Sequence, residues 1–572
     1  MRFPSRTVYL FTILLAAAQP AFAAAILEVS GTSGVSRLGR SDSGFNFQAF
    51  DAGVNGLPFR IENAYGSQGV IYDGAAAPSL SSTVPGVITA DYSNKLSVTV
   101  QWTRAADRAF GDITVTNHTA APVLGFTLDL LNLRFPTPVT GNDGNPVLRA
   151  YNNGGPGLFC ANYGGAQPGA IIFDLEDVDA ARPILMKFQR GNPSDMQGVL
   201  QVMNHHDYSD DGSPYPYWPV PANGAIQFRI ALRFAPYRPD PVDMCGDLFA
   251  AFAREYPVLP NVRAWADRRP IAQVFFEAND TNGGRDPRKW FDSGEHVDTT
   301  TPGGIKRFQK LVLDRARDAL GRMKKMNAQG VITWDLEGAE FPDATYMGDA
   351  AKVATEDPTQ SVAPEMAAIA DQYFKIYRDA GYRVGVTIRP QKVLLQRDSS
   401  GRVIHAWEND DNWFGKGDPP VDLQAFWQRQ LEDKIRFARQ RWGATLFYID
   451  SNAANVGPMS FLVMRNLATE FPDVLLIPEH STLGYYSACA PYRQLNMLSA
   501  GNITPPVARR TYMDADGRSP CFSVINPTIE SITRTWPQLV NDVRQGSILF
   551  FRAWYDAPEL PAIRQAYAAA KK

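Results

Sequence analysis

The chain has 572 residues, 45% hydrophobic and 20% charged, the balance of a folded protein rather than a disordered one. Its 56 basic and 59 acidic residues leave a net charge of -3, so no basic excess is present to hold a polyanion, and nucleic acid is not expected as a partner. Six histidines and 4 cysteines argue against a zinc-cluster or iron–sulfur protein.

At the N-terminus, Arg2 and Arg6 precede an apolar run from Val8 to Ala18, and Ala21-Phe22-Ala23 supplies a small-x-small cleavage site. Residues 1–23 therefore read as a secretory signal whose apolar core is too short to span a bilayer. No later apolar run reaches the ~18 residues a span needs. The expectation is a secreted or periplasmic protein, cleaved near Ala23, with no membrane span and with its oligomeric state left open. Cys160, Cys245, Cys489 and Cys521 all lie beyond the signal. In an oxidising compartment, pairing within domains would give Cys160–Cys245 and Cys489–Cys521, with free buried thiols as the alternative.

Residues 24–245 carry short alternating segments such as Leu96-Ser-Val-Thr-Val-Gln-Trp102, Gly111-Asp-Ile-Thr-Val-Thr116 and Ile226 to Phe234, punctuated by Gly, Pro, Asn and Asp. This pattern is the signature of a β-sandwich or barrel, and an antiparallel β-sandwich is the expectation. Residues 246–269 read as a helical linker, with a helix from Phe249 to Tyr256. From 270 to 572 the rhythm becomes strand, loop, helix. Strands are predicted at Ile271–Phe276, Gly330–Trp334, Tyr382–Ile388, Thr445–Ile449, Val474–Ile477 and Ser547–Phe551, with weaker ones near Gln494–Ser499 and Phe522–Ile525. Helices are predicted at Ile305–Met326, Pro364–Ala380, Asp422–Trp442, Pro458–Glu470, Ile529–Arg544 (kinked at Pro537) and Leu560–Ala570. Eight βα units over about 300 residues are the content of a (β/α)8 TIM barrel, with a doubly wound sheet as the structural alternative.

In such a barrel the site lies at the C-terminal strand ends. The six clear ends carry Glu277 and Asp280; Asp335 and Glu337; Arg389; Asp450 and Asn452; Glu479 and His480; and Arg552, Trp554 and Asp556. Five of these six ends carry an acid, and carboxylates beside buried strands must be paired or put to use. Glycoside hydrolysis needs such a set: one carboxylate at the anomeric carbon, a second as acid and then base. Asp450 is assigned as nucleophile and Glu479 as general acid/base, because they end adjacent strands. Asp335 and Glu337 form the rival pair and are otherwise read as substrate ligands. Arg389, Tyr448, Asn452, His480, Arg552 and Trp554 complete the expected substrate-binding set, with Trp334 as a further wall residue. No cofactor and no metal are called for. His205-His206-Asp207 with Asp210-Asp211-Gly212 lacks calcium-loop spacing and reads as a polar turn; Asp280-Thr-Asn282-Gly283-Gly284 reads likewise. Long loops 279–304, 338–363 and 390–421 would wall the cleft, the last with Trp407, Trp413 and Phe414. A G-x-S-x-G elbow, an H-E-x-x-H motif and a P-loop are all absent from the sequence.

The layout resembles retaining (β/α)8-barrel glycoside hydrolases that carry a galactose-mutarotase-like sandwich before the barrel, and Val115-Thr-Asn-His-Thr-Ala-Ala-Pro-Val-Leu-Gly125 is similar to a strand–turn–strand of such sandwiches. Phe447-Tyr-Ile-Asp450 and Ile477-Pro-Glu479 match, by strand order, the nucleophile and acid/base of dextranase-like, amylase-like and endo-α-N-acetylgalactosaminidase-like groups. In the melibiase-like group the second acid lies on strand six, where Asp514 or Asp516 is the nearest candidate. The amylase-type Arg two residues before the nucleophile is absent, Tyr448 standing there, and no single family is assigned. The resemblance implies an α-linked carbohydrate substrate and net retention. Two other readings stay open: a polysaccharide lyase working through Arg389 and a Tyr base, and a non-catalytic sugar-binding protein whose Asp450 and Glu479 would lie beyond ~9.5 Å.

Overall fold

The structure is a computed structural model describing residues 25–30, 34–41, 47, 60–66, 69–72, 78–82, 84–137, 140–141, 147–151, 154–190, 197–206, 215–216, 218–238, 241–276, 288–291, 297–338, 348–408, 423–452, 459–480, 482–494, 513 and 523–571. The predicted signal, the Asp280–Gly284 turn, Glu277, Trp413, Phe414, Cys521, Asp514 and Asp516 lie outside the described residues.

The N-terminal half is two antiparallel sheets packed face to face. One has eight strands, with the long neighbours Leu96–Arg104, Arg108–Asn117 and Ala225–Pro236 at its centre. The other has six, built around Val123–Arg134. Alternation sets the faces: Arg108–Asn117 buries every second residue, so one side joins the sandwich core and the other meets solvent. Val98, Ile113, Phe126, Leu128, Phe173 and Phe188 meet in that core.

A 3₁₀ turn at Pro241–Cys245 and a helix at Gly246–Glu255 lead away from the last sandwich strand. The barrel strands are β1 (Ile271–Val274), β2 (Gly330–Thr333), β3 (Arg383–Ile388), β4 (Leu446–Ile449), β5 (Leu475–Pro478), β6 (Tyr492–Gln494), β7 (Val524–Asn526) and β8 (Ile548–Arg552). All pair in parallel, in the order β5-β4-β3-β2-β1-β8-β7-β6. The ring nearly closes between β5 and β6, where the Ala490 amide donates to the Leu476 carbonyl at 2.9 Å. The doubly wound alternative is thereby set aside; the weaker prediction Phe522–Ile525 overlaps β7, while Gln494–Ser499 meets β6 only at Gln494, its other residues lying outside the described ones. The four central residues of β1, β2, β4 and β5 are buried throughout, as strands covered on both faces require.

The outer helices are α1 (Pro302–Met326), α2 (Ala370–Asp379), α3 (Leu423–Trp442), α4 (Phe461–Glu470), α5 (Ile529–Arg544) and α6 (Leu560–Ala570). Thr301 caps α1 by accepting from the Gly304 amide, and a capping box at Thr528 and Ser531 starts α5. The kink in α5 falls at Thr535, two residues before Pro537. Two expectations change. The predicted helix 364–380 is broken into Pro364–Ala367 and α2, and the loop after β3 holds an antiparallel hairpin, Val393–Arg397 with Val403–Glu408. His205 and His206 pair with Tyr215–Pro216, and the buried His205 ring meets the Thr127 hydroxyl at 3.1 Å. Cys160, Cys245 and Cys489 are buried thiols; the Cys160 and Cys245 sulfurs stand 3.9 Å apart, well beyond the ~2.05 Å of a disulfide. No described helix is long and apolar enough to cross a membrane.

Candidate functional site

The register of three neighbouring strands builds the site. Ile388 is opposite Ile449 across β3 and β4, and Ile449 is opposite Pro478 across β4 and β5. The next residue of each strand is Arg389, Asp450 and Glu479, so the three side chains leave the barrel at one level. The ladder continues through them: the Asp450 amide donates to the Ile388 carbonyl at 3.0 Å and the Glu479 amide to the Ile449 carbonyl at 2.9 Å. Neighbouring strands are ~4.8 Å apart, which brings the two carboxyls and the guanidinium together.

Arg389 Nε and Nη2 each lie 2.5 Å from Asp450 Oδ2. Burial alone would raise the Asp450 carboxyl, but the Arg389 charge and a hydrogen bond with Glu479 hold it below its ordinary value. Burial, the hydrogen bond with Asp450 and the Asp450 charge push Glu479 the other way, up to about 8. The environment thus drives the two carboxyls apart, Asp450 toward its ionised form and Glu479 toward its protonated form. The Ser451 amide donates to Glu479 Oε2 at 3.1 Å, and Ser451 itself adopts φ +52°, a left-handed conformation that costs a non-glycine residue free energy. Asp450 and Glu479 are within side-chain hydrogen-bonding reach of each other.

Asp335 and Glu337 follow β2 and are both buried. Asp335 also takes a positive φ, +57°. Glu337 accepts from the Gly348 amide, and burial pushes its carboxyl up to about 7. The Gly348 carbonyl in turn accepts from the Arg389 amide at 3.3 Å. Gly348 thus bridges the β2 acid to the β3 arginine. Its φ of +54° and the 2.8 Å that would separate an added Cβ from Arg389 N both demand glycine.

Tyr448 lies beneath Asp450 and within hydrogen-bonding reach of Glu479. Its ring is 4.7 Å from Trp334 and 5.2 Å from Tyr492; Trp334 stacks on Phe275, which meets Trp554 at 5.0 Å. The three aromatics singled out from sequence thus join one continuous wall through Phe275. His480 stands beside the acid, its Nε2 3.5 Å from Glu479 Oε2, and burial lowers its pKa, which keeps the ring neutral.

Two sequence candidates are engaged elsewhere. Asn452 brackets the His480 backbone, donating to its carbonyl at 2.7 Å and accepting from its amide at 2.8 Å. Arg552 pairs with the buried Glu559 at 2.6 Å and lies over the Tyr555 ring. Besides Gly348 and Phe275, the sequence reading missed Lys434. Lys434 on α3 is 3% exposed and donates to the carbonyls of Arg389 at 2.7 Å and Gln391 at 2.9 Å. Its signal was available: it interrupts an apolar stripe of Trp427, Leu431, Ile435 and Ala438 on one helix face. Among the described residues no group of three or more His, Cys, Asp or Glu side chains is placed to hold a metal ion.

No family model and no curated relative matches the sequence. Among solved structures, the GH36 α-galactosidase AgaA from Geobacillus stearothermophilus, in complex with raffinose, is 10% identical over 96% of this chain and 85% of that one, with a TM-score of 0.43. The α-N-acetylgalactosaminidase NagBb from Bifidobacterium bifidum, in its GalNAc complex, is 10% identical over 96% and 92%, with a TM-score of 0.48. A galactose mutarotase related enzyme from Lactobacillus acidophilus is 8% identical over 39% of this chain and 98% of its own, with a TM-score of 0.25. At such identities and scores the likeness is one of layout, and the fold stands on the strand order and pairing described above.

Proposed function

We propose that the protein is an exported glycoside hydrolase acting with net retention on an α-linked glycoside. The observation that carries this reading is the pair Asp450 and Glu479: adjacent strand ends, one carboxyl held ionised by Arg389 and the other held protonated by burial and by its partner. Export rests on the basic, apolar and small-x-small segments of residues 1–23. The α-linkage rests on the order of the acids, Asp at β4 and Glu at β5, shared with the groups the sequence resembles.

In the first step an Asp450 carboxylate oxygen bonds to the anomeric carbon while the glycosidic C–O bond breaks. The leaving oxygen takes the proton of Glu479. In the second step Glu479, now a carboxylate, takes a proton from water, whose oxygen displaces Asp450 and yields the sugar with its original anomeric configuration. Arg389 keeps Asp450 ionised before attack. Phe275 and Trp554, the partly exposed members of the wall, offer apolar faces to a pyranose ring, with Trp334 and Tyr448 packed beside them.

Hydrolysis of a panel of α- and β-linked oligosaccharides by wild type, Asp450→Asn and Glu479→Gln tests the reading, with NMR of the first-formed anomer. Cleavage of one substrate with retention, and loss of about 10³-fold or more in each variant, supports it. A near-normal rate in either variant overturns the assignment of that acid. An inverted anomer overturns the covalent mechanism.

A further inference from the structure

We infer that the Gly154–Gly155 turn of the sandwich is a positioning element for the acid on β5. The inference rests on the role proposed above for Glu479. After β5 the chain passes His480 and enters a short turn, Thr482 to Ser487, before returning to β6. The sandwich grips this turn. The Gly484 amide donates to the Gly154 carbonyl at 2.7 Å, and Gly154 faces the turn so closely that a side chain there is excluded, while Gly155 packs against it at ordinary contact distance. A Cβ on Gly154 would stand 2.5 Å from Thr482 Cγ2 and 2.7 Å from Thr482 Cβ; one on Gly155 would meet Leu483 Cβ at 3.4 Å.

From the gripped turn the path to the acid is short and made of buried groups. Tyr485, fully buried, donates its hydroxyl to the Met459 carbonyl at 2.6 Å and accepts from Asn452 Nδ2 at 3.3 Å. Asn452, itself 1% exposed, holds the His480 backbone from both sides, one residue beyond Glu479. The opposite side of the turn is held by the linker: the Leu259 amide donates to the Ser487 carbonyl at 2.8 Å. Gly484 also backs onto Phe461, the first residue of α4, leaving the turn little room to yield. The turn that follows the acid is thus held from outside the barrel by Gly154 and Leu259 and from within it by Tyr485, Asn452 and Phe461.

The setting matters because the ionisable neighbours of Glu479 surround it at short range: Asp450 and Tyr448 on β4, Arg389 on β3, His480 beside it and Tyr492 on β6. Moving the loop outward separates the acid from Asp450 and admits water. Both changes let it ionise more readily.

The test is a double-mutant cycle on the full chain: Gly154→Ala, Thr482→Gly and the two together. Two readouts are taken, kcat and KM on a cleaved glycoside, and the titration of the Glu479 carboxyl by difference infrared spectroscopy with Glu479→Gln subtracted. The expected result for Gly154→Ala is a fall in kcat of about 10-fold or more with little change in KM, and a titration midpoint below that of wild type. Removing the Thr482 side chain in the double variant is expected to return both to the values of Thr482→Gly alone. An unchanged midpoint and kcat in Gly154→Ala, with only thermal stability altered, overturns the inference. So does a double variant that fails to recover. Should Gly154→Ala not fold, Thr482→Leu presses the same contact from the barrel side and is read identically. The infrared titration does not require catalysis. If Glu479→Gln proves fully active while the midpoint still moves, the proposed reaction fails and the coupling between turn and carboxyl stands.

Discussion

Replacing Glu479 by glutamine is expected to stabilise the protein at neutral and alkaline pH while abolishing the proposed chemistry. The carboxyl holds its proton up to about 8 in the fold against an ordinary 4.5, so between those values the native state binds a proton that the unfolded chain has released. Stability supplied by that proton is complete below the unfolded value and is lost as pH rises toward the folded one. Linkage puts the cost of the wild-type carboxyl below about 1 kcal/mol near pH 4.5, at about 3 kcal/mol near pH 6.5 and at about 4 kcal/mol near pH 8. The side chain is 32% exposed, so water screens part of this, and about half the upper figure is the expected gain. Glutamine can still donate to Asp450, which keeps the native hydrogen bond. Glu337, whose carboxyl is pushed up to about 7, adds a slope of the same sign, but it is present in both proteins and cancels in the difference. At about 2–4 °C per kcal/mol for a domain of this size, Glu479→Gln should melt several degrees above wild type near pH 8 and within about a degree of it near pH 4.5. Melting curves of both proteins across this range provide the assay. A gain independent of pH, or none near pH 8, refutes the reasoning.

Other outcomes follow from the same geometry. Arg389→Met leaves Asp450 buried without its guanidinium. Loss of about 3–5 kcal/mol of stability is expected, together with an acid limb of kcat/KM moved to higher pH, measurable by melting and by a pH–rate profile. Gly348→Ala forces a Cβ onto the Arg389 backbone at a positive φ. A cost of about 1–3 kcal/mol and a lowered kcat are expected, and a melting temperature equal to wild type would contradict the contact. Lys434→Met removes the donor for two strand-end carbonyls. It should cost about 1–3 kcal/mol by urea unfolding.

The barrel was legible because its strands are short apolar runs with helices between them, and that periodicity survives any tertiary detail. The helix at Leu560–Ala570 coincides with its prediction. β6 and β7 were faint because three paired residues each leave little pattern to detect. The hairpin at 393–408 was hidden because Val393–Arg397 has a polar half that reads as loop. At the site, strand order alone placed Arg389, Asp450 and Glu479 together, since parallel register carries neighbours to one level. It could not separate side chains that face the cleft from those spent on structure. Asn452 and Arg552 have the right chemistry and position, yet their partners, the His480 backbone and Glu559, lie far away in sequence or across the turn that leads into α6. Gly348 and Tyr485 act through backbone contacts between loops, for which a single sequence carries no periodic signal.

The near-closure of the ring between β5 and β6 gives the two acids unequal mechanical footing. Asp450 rides on a strand bonded along both edges, to β3 and to β5. Glu479 ends a strand whose outer edge meets the rest of the ring through the Ala490–Leu476 hydrogen bond. Thermal motion in a split hoop gathers beside the gap, so Asp450, the nucleophile of the proposed reaction, sits on the stiff side. Glu479, its proposed acid and base, sits beside the gap, where contacts from the sandwich and the linker brace the turn that follows it.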